Sequence, residues 1–364
     1  MLTIQNTLPE FYWLTNYIET LASCEMWQAT TSATIAYEYK KILSKYAEET
    51  GGAQEFVQFQ GHDFSMRGMS SLQSAEKSGA GHLLSFVGTD TIPAVVFLEN
   101  YYNANVEKEL VGCSIPATEH SVMCANGMDE FASYSRIIKE VYPNGFVSIV
   151  SDTWDLWNVL SNVIAPLKAD ILARNGKVVI RPDSGDPVKI MCGDASAPQG
   201  SLQNKGVIEA LWDIFGGTVN SKGYKELDSH IGAIYGDAIT LTRCEEICKQ
   251  LKTKGFASTN AVYGIGSYTY QYNTRDTFGF ALKSTLVVIN GDEKLIFKDP
   301  KTDDGVKKSA KGKVVVYRDV NNTIQMTDGL FLNDGVVNDM LETVFKNGVL
   351  IRDETLADIR KRLT

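Results

Sequence analysis

Between positions 52 and 266 the chain repeats one kind of unit, and this repetition constrains the fold more than any other feature. A short apolar run ends in a polar, acidic or Gly-bearing loop, and a helical pattern usually follows. The runs span 56–59, 82–87, 145–150, 178–180, 231–235 and 261–263. Their loops carry His62-Asp63, Gly88-Thr89-Asp90, Ser151-Asp152, Arg181 to Gly185, Gly236-Asp237 and Gly264-Ile265-Gly266. Amphipathic stretches lie between them, marked by Phe131, Tyr134 and Ile138, by Leu156, Leu160 and Val163, by Val207, Leu211 and Phe215, and by Cys244, Cys248 and Leu251. Most units recur at about thirty residues, the size of a strand with its crossover helix. The pattern predicts an α/β fold, an irregular (α/β) barrel in first place and an open doubly wound sheet in second.

The two ends differ from this middle. Phe11, Leu14, Tyr17 and Leu21, then Tyr39, Ile42 and Tyr46, follow helical spacing up to the break at Gly51-Gly52. Beyond Lys283, two β-rich runs meet across Asn290-Gly291, the pair suited to a tight type I′ hairpin. A second hairpin is expected across Asn321-Asn322, and a terminal helix over 355–362. The expected organisation is a helical segment 1–50 contributing to a smaller domain, an α/β barrel catalytic domain 51–275, and an antiparallel β-rich smaller domain 276–364 with a C-terminal helix.

A charge of −9 over 364 residues argues against nucleic acid, whose binding rests on basic surface. The six cysteines lack the spacing of zinc or redox motifs and read as small apolar residues in a reducing compartment. No signal-peptide pattern opens the chain and no apolar run is long enough to span a bilayer, so the expectation is a cytoplasmic protein.

Candidate chemistry concentrates in the strand-end loops. Arg181, delivered by the β-branched run 178–180, can fork onto a phosphate or stack on a flat ring, and Asp183 can accept from hydroxyls or an amide. The same pair also reads as a salt bridge in a surface turn. Gly236-Asp237 and Gly264-Ile265-Gly266-Ser267 follow late strands, where glycines let backbone N–H groups approach a phosphate; each is also simply a tight turn. Glu119-His120 sets an imidazole beside a carboxylate, as a catalytic pair or a structural one. His62, Phe64 and Arg67 fall close together, whereas His82 and His230 read as structural or exposed. Lys298, Lys301, Lys307, Lys308, Lys311 and Lys313 form a basic cluster, either a solvated face or a cover for a polyphosphate.

In this order the motifs resemble those of the nicotinamide phosphoribosyltransferases. The match includes His62 to Gly68, Gly88 to Thr91, Ile115 to Ser121, Val150 to Asp152, Ile180 to Gly185, Ser221 to Tyr224, Tyr235 to Asp237, Thr274 to Asp276, Phe297 to Pro300 and Val344 to Gly348. The resemblance covers nearly the whole chain. It implies a type II phosphoribosyltransferase barrel that transfers phosphoribosyl from phosphoribosyl pyrophosphate to nicotinamide in NAD salvage. It further implies Mg²⁺, assistance by ATP, and a homodimer with shared sites.

By the same resemblance Phe64 stacks on nicotinamide, Asp90 contacts its amide, Arg181 lies on the ring's other side and Asp183 lies near the ribose. Arg67 contacts pyrophosphate; Gly236, Asp237, Gly266 and Ser267 serve the nucleotide phosphate and ribose. Asp155 joins the substrate-binding set. His120 is phosphorylated by ATP with Glu119 beside it, Arg275 reaches a phosphate in the partner subunit, and Lys283 and Lys307 hold pyrophosphate. No direct metal ligand is assigned. Two departures stand out: Ser267 interrupts the family's Gly run, and a portion of the family pattern that carries a stacking Tyr is absent before Leu8. The alternatives are a nicotinate-type enzyme, disfavoured by Asp90, a non-catalytic nucleotide-binding remnant, and an unrelated phosphosugar barrel.

Overall fold

The structure, a computed structural model, describes residues 1–302, 308–336 and 338–363. Contacts divide the chain into two units. One comprises Met1–Gln28 with Thr274–Glu354, the other Ala29–Asn273 with the C-terminal residues from Thr355. Residues 29–50, part of the helix Thr15–Thr50, therefore pack with the larger unit.

The larger unit is built on parallel strands: β1 (Gly61–Asp63), β2 (Gly88–Thr89), β3 (Val147–Val150) and β4 (Val178–Arg181). A short antiparallel ribbon follows, β5 (Gly217–Val219) with β6 (Lys225–Leu227), and then β7 (Ile231–Tyr235) and β8 (Ala261–Ile265). The six-stranded sheet runs β2-β1-β8-β7-β4-β3, parallel throughout. Residues of β3, β4 and β7 are all buried, as expected of strands covered on both faces, and this is why they read as largely apolar runs. Helices Val207–Phe215 and Leu241–Thr253 contribute Val207, Leu211, Ile247 and Leu251 to the same core. The sheet curls into a half-barrel. Its two outer strands are both met by one connecting segment, which bridges Cys113 to Gly88 and Ala117 to Ser148 in parallel register. The curled sheet is the irregular barrel expected from the repeated unit.

Two expected strand positions differ. Residues 56–59 lie in helical turns that run on to Gln60, and the strand follows at Gly61–Asp63. Val57 and Gln60 are the buried pair there, a helical spacing that a short apolar run conceals. Residues 82–87 hold no strand: His82 ends the helix Leu72–His82, and the strand follows at Gly88–Thr89. Its imidazole is buried between the Tyr270 hydroxyl, 2.7 Å from Nδ1, and the Gly88 carbonyl, 2.9 Å from Nε2. Burial lowers its pKa, so it is a neutral strut.

The C-terminal helix Leu356–Arg362 packs on the larger unit, not with the hairpins. Thr355 and Asp358 form its capping box, and Leu356 enters the apolar cluster of Leu83, Leu98 and Val111.

In the smaller unit β9 (Leu286–Ile289) pairs with β10 (Asp292–Leu295), and β11 (Lys313–Arg318) with β12 (Ile324–Leu330). Asn290 and Asn322 take positive φ at the two turns, as the hairpin reading expected. A third ribbon, β13 (Phe345–Lys346) with β14 (Val349–Leu350), was not foreseen, although Asn347-Gly348 supplies the same left-handed turn. No helix of the described residues is long and apolar enough to cross a membrane.

Candidate active site

The C-terminal ends of the parallel strands gather most of the expected residues of the larger unit. Past the end of β1, the Phe64 N–H donates to the carbonyl of Ile265 at the end of β8, 3.0 Å away. Its ring occupies space that two glycines leave open: a Cβ on Gly264 would fall 2.4 Å from Phe64 Cδ2, and one on Gly236 3.6 Å from its Cε2. Gly264 is thus required by close approach of an aromatic ring to the backbone, whereas a Cβ on Gly236 would chiefly meet Asp183 Oδ1, at 2.5 Å. At the end of β4, the Cζ of Arg181 lies 5.9 Å from the centre of the Phe64 ring. Arg181 is buried and donates through Nη2 to the Thr118 carbonyl at 2.8 Å, while its Nε has no hydrogen-bond partner. The Arg181–Asp183 pair is therefore not the plain surface salt bridge that its spacing also allowed.

Asp90 follows β2. His62 Nε2 donates to its Oδ1 at 2.9 Å and Ser114 Oγ donates to the same oxygen at 2.6 Å. The His62 ring is also 4.9 Å from that of Phe64, so the carboxylate and the aromatic are linked through one imidazole. Burial raises the Asp90 carboxyl, but His62, Ser114 and the nearby Arg181 outweigh it and hold the group below its ordinary range. Asp183 behaves in the opposite way. Burial, with Asp152 and Asp237 close by, raises its carboxyl despite the pull of Arg181. One site thus separates two carboxyl groups, a signature of functional positions.

Asp152, at the end of β3, was not singled out from sequence, yet it organises the second half of the site. Its Oδ1 is 3.3 Å from His120 Nε2, and its Oδ2 accepts from Ser184 Oγ at 2.6 Å and from the Asp183 N–H at 3.0 Å. The signal for it was Ser151-Asp152 standing at a strand end like the other candidates. Glu119 accepts from the exposed Arg67 at 3.3 Å. Asp155 caps the next helix, accepting from the N–H groups of Trp157 and Asn158 at 2.9 and 3.2 Å. Gly266 precedes the short helix Ser267–Tyr270, and a Cβ on Gly68 would meet Ser267 Oγ at 2.0 Å.

The remaining candidates lie in the smaller unit or outside the described residues. Arg275 pairs with Asp276 at 3.2 Å, and Lys283 Nζ is 3.6 Å from Glu19. Lys307 lies outside the described residues.

A sequence profile of the nicotinate phosphoribosyltransferase (NAPRTase) family matches residues 59–349, most of the chain and all of the strand-end loops just described. The chain belongs to this family. Among curated NAPRTase relatives, the nicotinamide phosphoribosyltransferase of Acinetobacter baylyi is 52% identical over 375 residues, covering 100% of this chain and 72% of that protein. That of Mycoplasma pneumoniae is 42% identical, covering 84% of this chain and 64% of its own length. That of Xanthomonas campestris is 34% identical over 99% of this chain and 74% of its own length. The chain thus spans about two thirds to three quarters of these relatives' length. Nicotinate-nucleotide pyrophosphorylase from Pyrococcus furiosus shares the fold, with a TM-score of 0.53 at 14% identity over 92% of this chain and 69% of that one. As a NAPRTase family member, the chain is a phosphoribosyltransferase of the glycosyl-transferring kind.

Proposed function

We propose that this chain joins nicotinamide to phosphoribosyl pyrophosphate, releasing nicotinamide mononucleotide and pyrophosphate, as a cytoplasmic step in NAD salvage. The observation that carries the reading is the slot between Phe64 and Arg181, with Asp90 tied to Phe64 through His62. A flat ring stacks on the aromatic face of Phe64 beside the guanidinium of Arg181. An anionic Asp90 accepts from a carboxamide N–H and repels the carboxylate of nicotinate. The relatives' shared name, nicotinamide phosphoribosyltransferase, supports the same choice of base.

Displacement at the ribose C1 passes through an oxocarbenium-like state, so the side chains orient and neutralise rather than react covalently. Asp183 and the loop Gly236-Asp237 receive the ribose and its phosphate, with Gly266 and Ser267 beside them. Arg67 takes the pyrophosphate, and Arg275 reaches a phosphate in the partner subunit of a homodimer. Asp155 supports the substrate loop through its helix cap.

Among the described residues no group of three His, Cys, Asp or Glu side chains could hold a metal alone. Mg²⁺ is ordinarily held by one or two carboxylates together with substrate phosphates, so it would be held here largely by the bound phosphoribosyl pyrophosphate. When bound, Mg²⁺ offsets charge on the departing pyrophosphate. Donation from His120 Nε2 to Asp152 leaves Nδ1 with a free lone pair, the nucleophile that phosphorylation by ATP requires.

The test is to incubate the purified chain with nicotinamide, phosphoribosyl pyrophosphate and Mg²⁺, with and without ATP. The mononucleotide should form, faster with ATP. Absence of product, with nicotinamide still bound, would leave the chain a non-catalytic binder.

A further inference from the structure

The two oxygens of Asp90 are not equivalent. Oδ1 accepts from both His62 Nε2 at 2.9 Å and Ser114 Oγ at 2.6 Å, and no hydrogen bond among the described residues goes to Oδ2. The carboxylate side chain is 47% exposed, whereas the His62 side chain is 12% exposed, so the imidazole is the fixed partner and Asp90 the one that faces outward. The backbone explains the fixity. His62 of β1 is in register with Gly88 of β2, and a Cβ on Gly88 would fall 2.8 Å from His62 Nδ1. The ring is thus close to a glycine, and it also lies 4.9 Å from the Phe64 ring. Ser114 arrives from the segment that bridges Gly88 through Cys113. Two neighbouring segments, β1 through His62 and the connecting segment through Ser114, therefore converge on one carboxylate oxygen and spare the other.

Resting on the nicotinamide reading of the same site, we infer that His62 is a specificity-determining positioning residue. By donating to Oδ1 it reserves Oδ2 of Asp90 as an acceptor for a carboxamide N–H, and so sets the preference for nicotinamide over nicotinate. A carboxylate gripped at both oxygens, or free to rotate, presents no such directed acceptor. Burial raises the Asp90 carboxyl, and without the imidazole one of the groups that outweigh burial would also be gone. His62 then acts without needing to touch the substrate.

The test compares wild type with His62→Leu, which keeps the bulk beside Phe64 but removes the donor, and with His62→Gln, whose Nε2 restores it. Calorimetry with nicotinamide and with nicotinate gives the binding ratio independently of turnover, and steady-state kinetics give KM for each base and for phosphoribosyl pyrophosphate. His62→Leu should cut the nicotinamide:nicotinate ratio by about tenfold or more, the scale of one hydrogen bond to a charged group. KM for phosphoribosyl pyrophosphate should be unchanged, and His62→Gln should recover most of the ratio. If His62→Leu fails to fold, His62→Asn, whose shorter amide falls short of Asp90, takes its place. An unchanged ratio in the donor-less variant, no recovery with Gln, or no preference in wild type overturns the inference. A wild type that prefers nicotinamide in calorimetry but forms no mononucleotide overturns the catalytic reading alone, and the His62 comparison still stands on binding.

Discussion

The guanidinium carbon of Arg181 lies over the ring of Phe64, 5.9 Å from its centre, and the Nη2 of Arg181 is held by the Thr118 carbonyl at 2.8 Å. Its Nε is buried and unpartnered, a cost that a ligand in the slot can offset. Arg181→Lys keeps the charge but removes the flat, forked face. It should raise KM for nicotinamide by at least about tenfold, with a smaller effect on KM for phosphoribosyl pyrophosphate. Equal effects on both substrates in steady-state kinetics would remove Arg181 from the base slot.

Asp183 makes a prediction about pH. Burial and the neighbouring carboxylates of Asp152 and Asp237 raise its carboxyl, against the pull of Arg181. The folded chain therefore binds this proton more tightly than the unfolded chain does. The resulting stabilisation is complete in acid, below the ordinary carboxyl range, and is lost as pH rises through the raised value. Asp183→Asn should accordingly raise the unfolding temperature at neutral pH, and the gain should vanish below about pH 4. Mononucleotide formation should fall in the same variant. Calorimetric melting across pH, paired with activity, checks both.

Part of this site was legible because parallel-sheet chemistry collects at strand ends, so Arg181 and Asp183 could be placed from where the run 178–180 stops, whereas the roles of Phe64 and Asp90 rest on the family resemblance. Asp152 stood in an identical position and was passed over, since Asp after Ser has many bland explanations and its partners His120 and Ser184 are distant in sequence. The runs at 56–59 and 82–87 misled for a related reason: four to six apolar residues fit a buried helical turn as well as a strand. The docking of the C-terminal helix rests on Arg360, whose backbone acceptors lie some 250 residues earlier. No local pattern encodes such a contact.

That contact predicts a stability effect. Arg360 donates to the carbonyls of Leu83 at 2.7 and 2.9 Å, Leu110 at 2.8 Å and Val111 at 2.7 Å. Arg360→Ala leaves these acceptors to water or to nothing, and should cost about 1–3 kcal/mol. Denaturant unfolding should show the midpoint shift. KM for nicotinamide should not move, because Arg360 lies outside the candidate site.

Gly264 and Gly236 allow the two ends of the site to be tested separately. Neither has the positive φ that would strain a side chain, so alanine acts through sterics alone. At Gly264 a Cβ would fall 2.4 Å from Phe64 Cδ2 and Cε2 and 3.0 Å from the Gly236 Cα, so the ring must leave its place. At Gly236 a Cβ would instead meet Asp183 Oδ1 at 2.5 Å, with Phe64 only at contact distance, 3.6 Å. Gly264→Ala should therefore act chiefly on KM for nicotinamide, and Gly236→Ala on KM for phosphoribosyl pyrophosphate, each by at least about tenfold given the sensitivity of transfer to misplacement. Each should lose about 1–3 kcal/mol of stability, the usual cost of overpacking. The crossed pattern is what separates a substrate-binding surface from a merely well-packed one. If both variants raised the two KM values alike, or lost stability without changing either, the glycines would be serving only the fold.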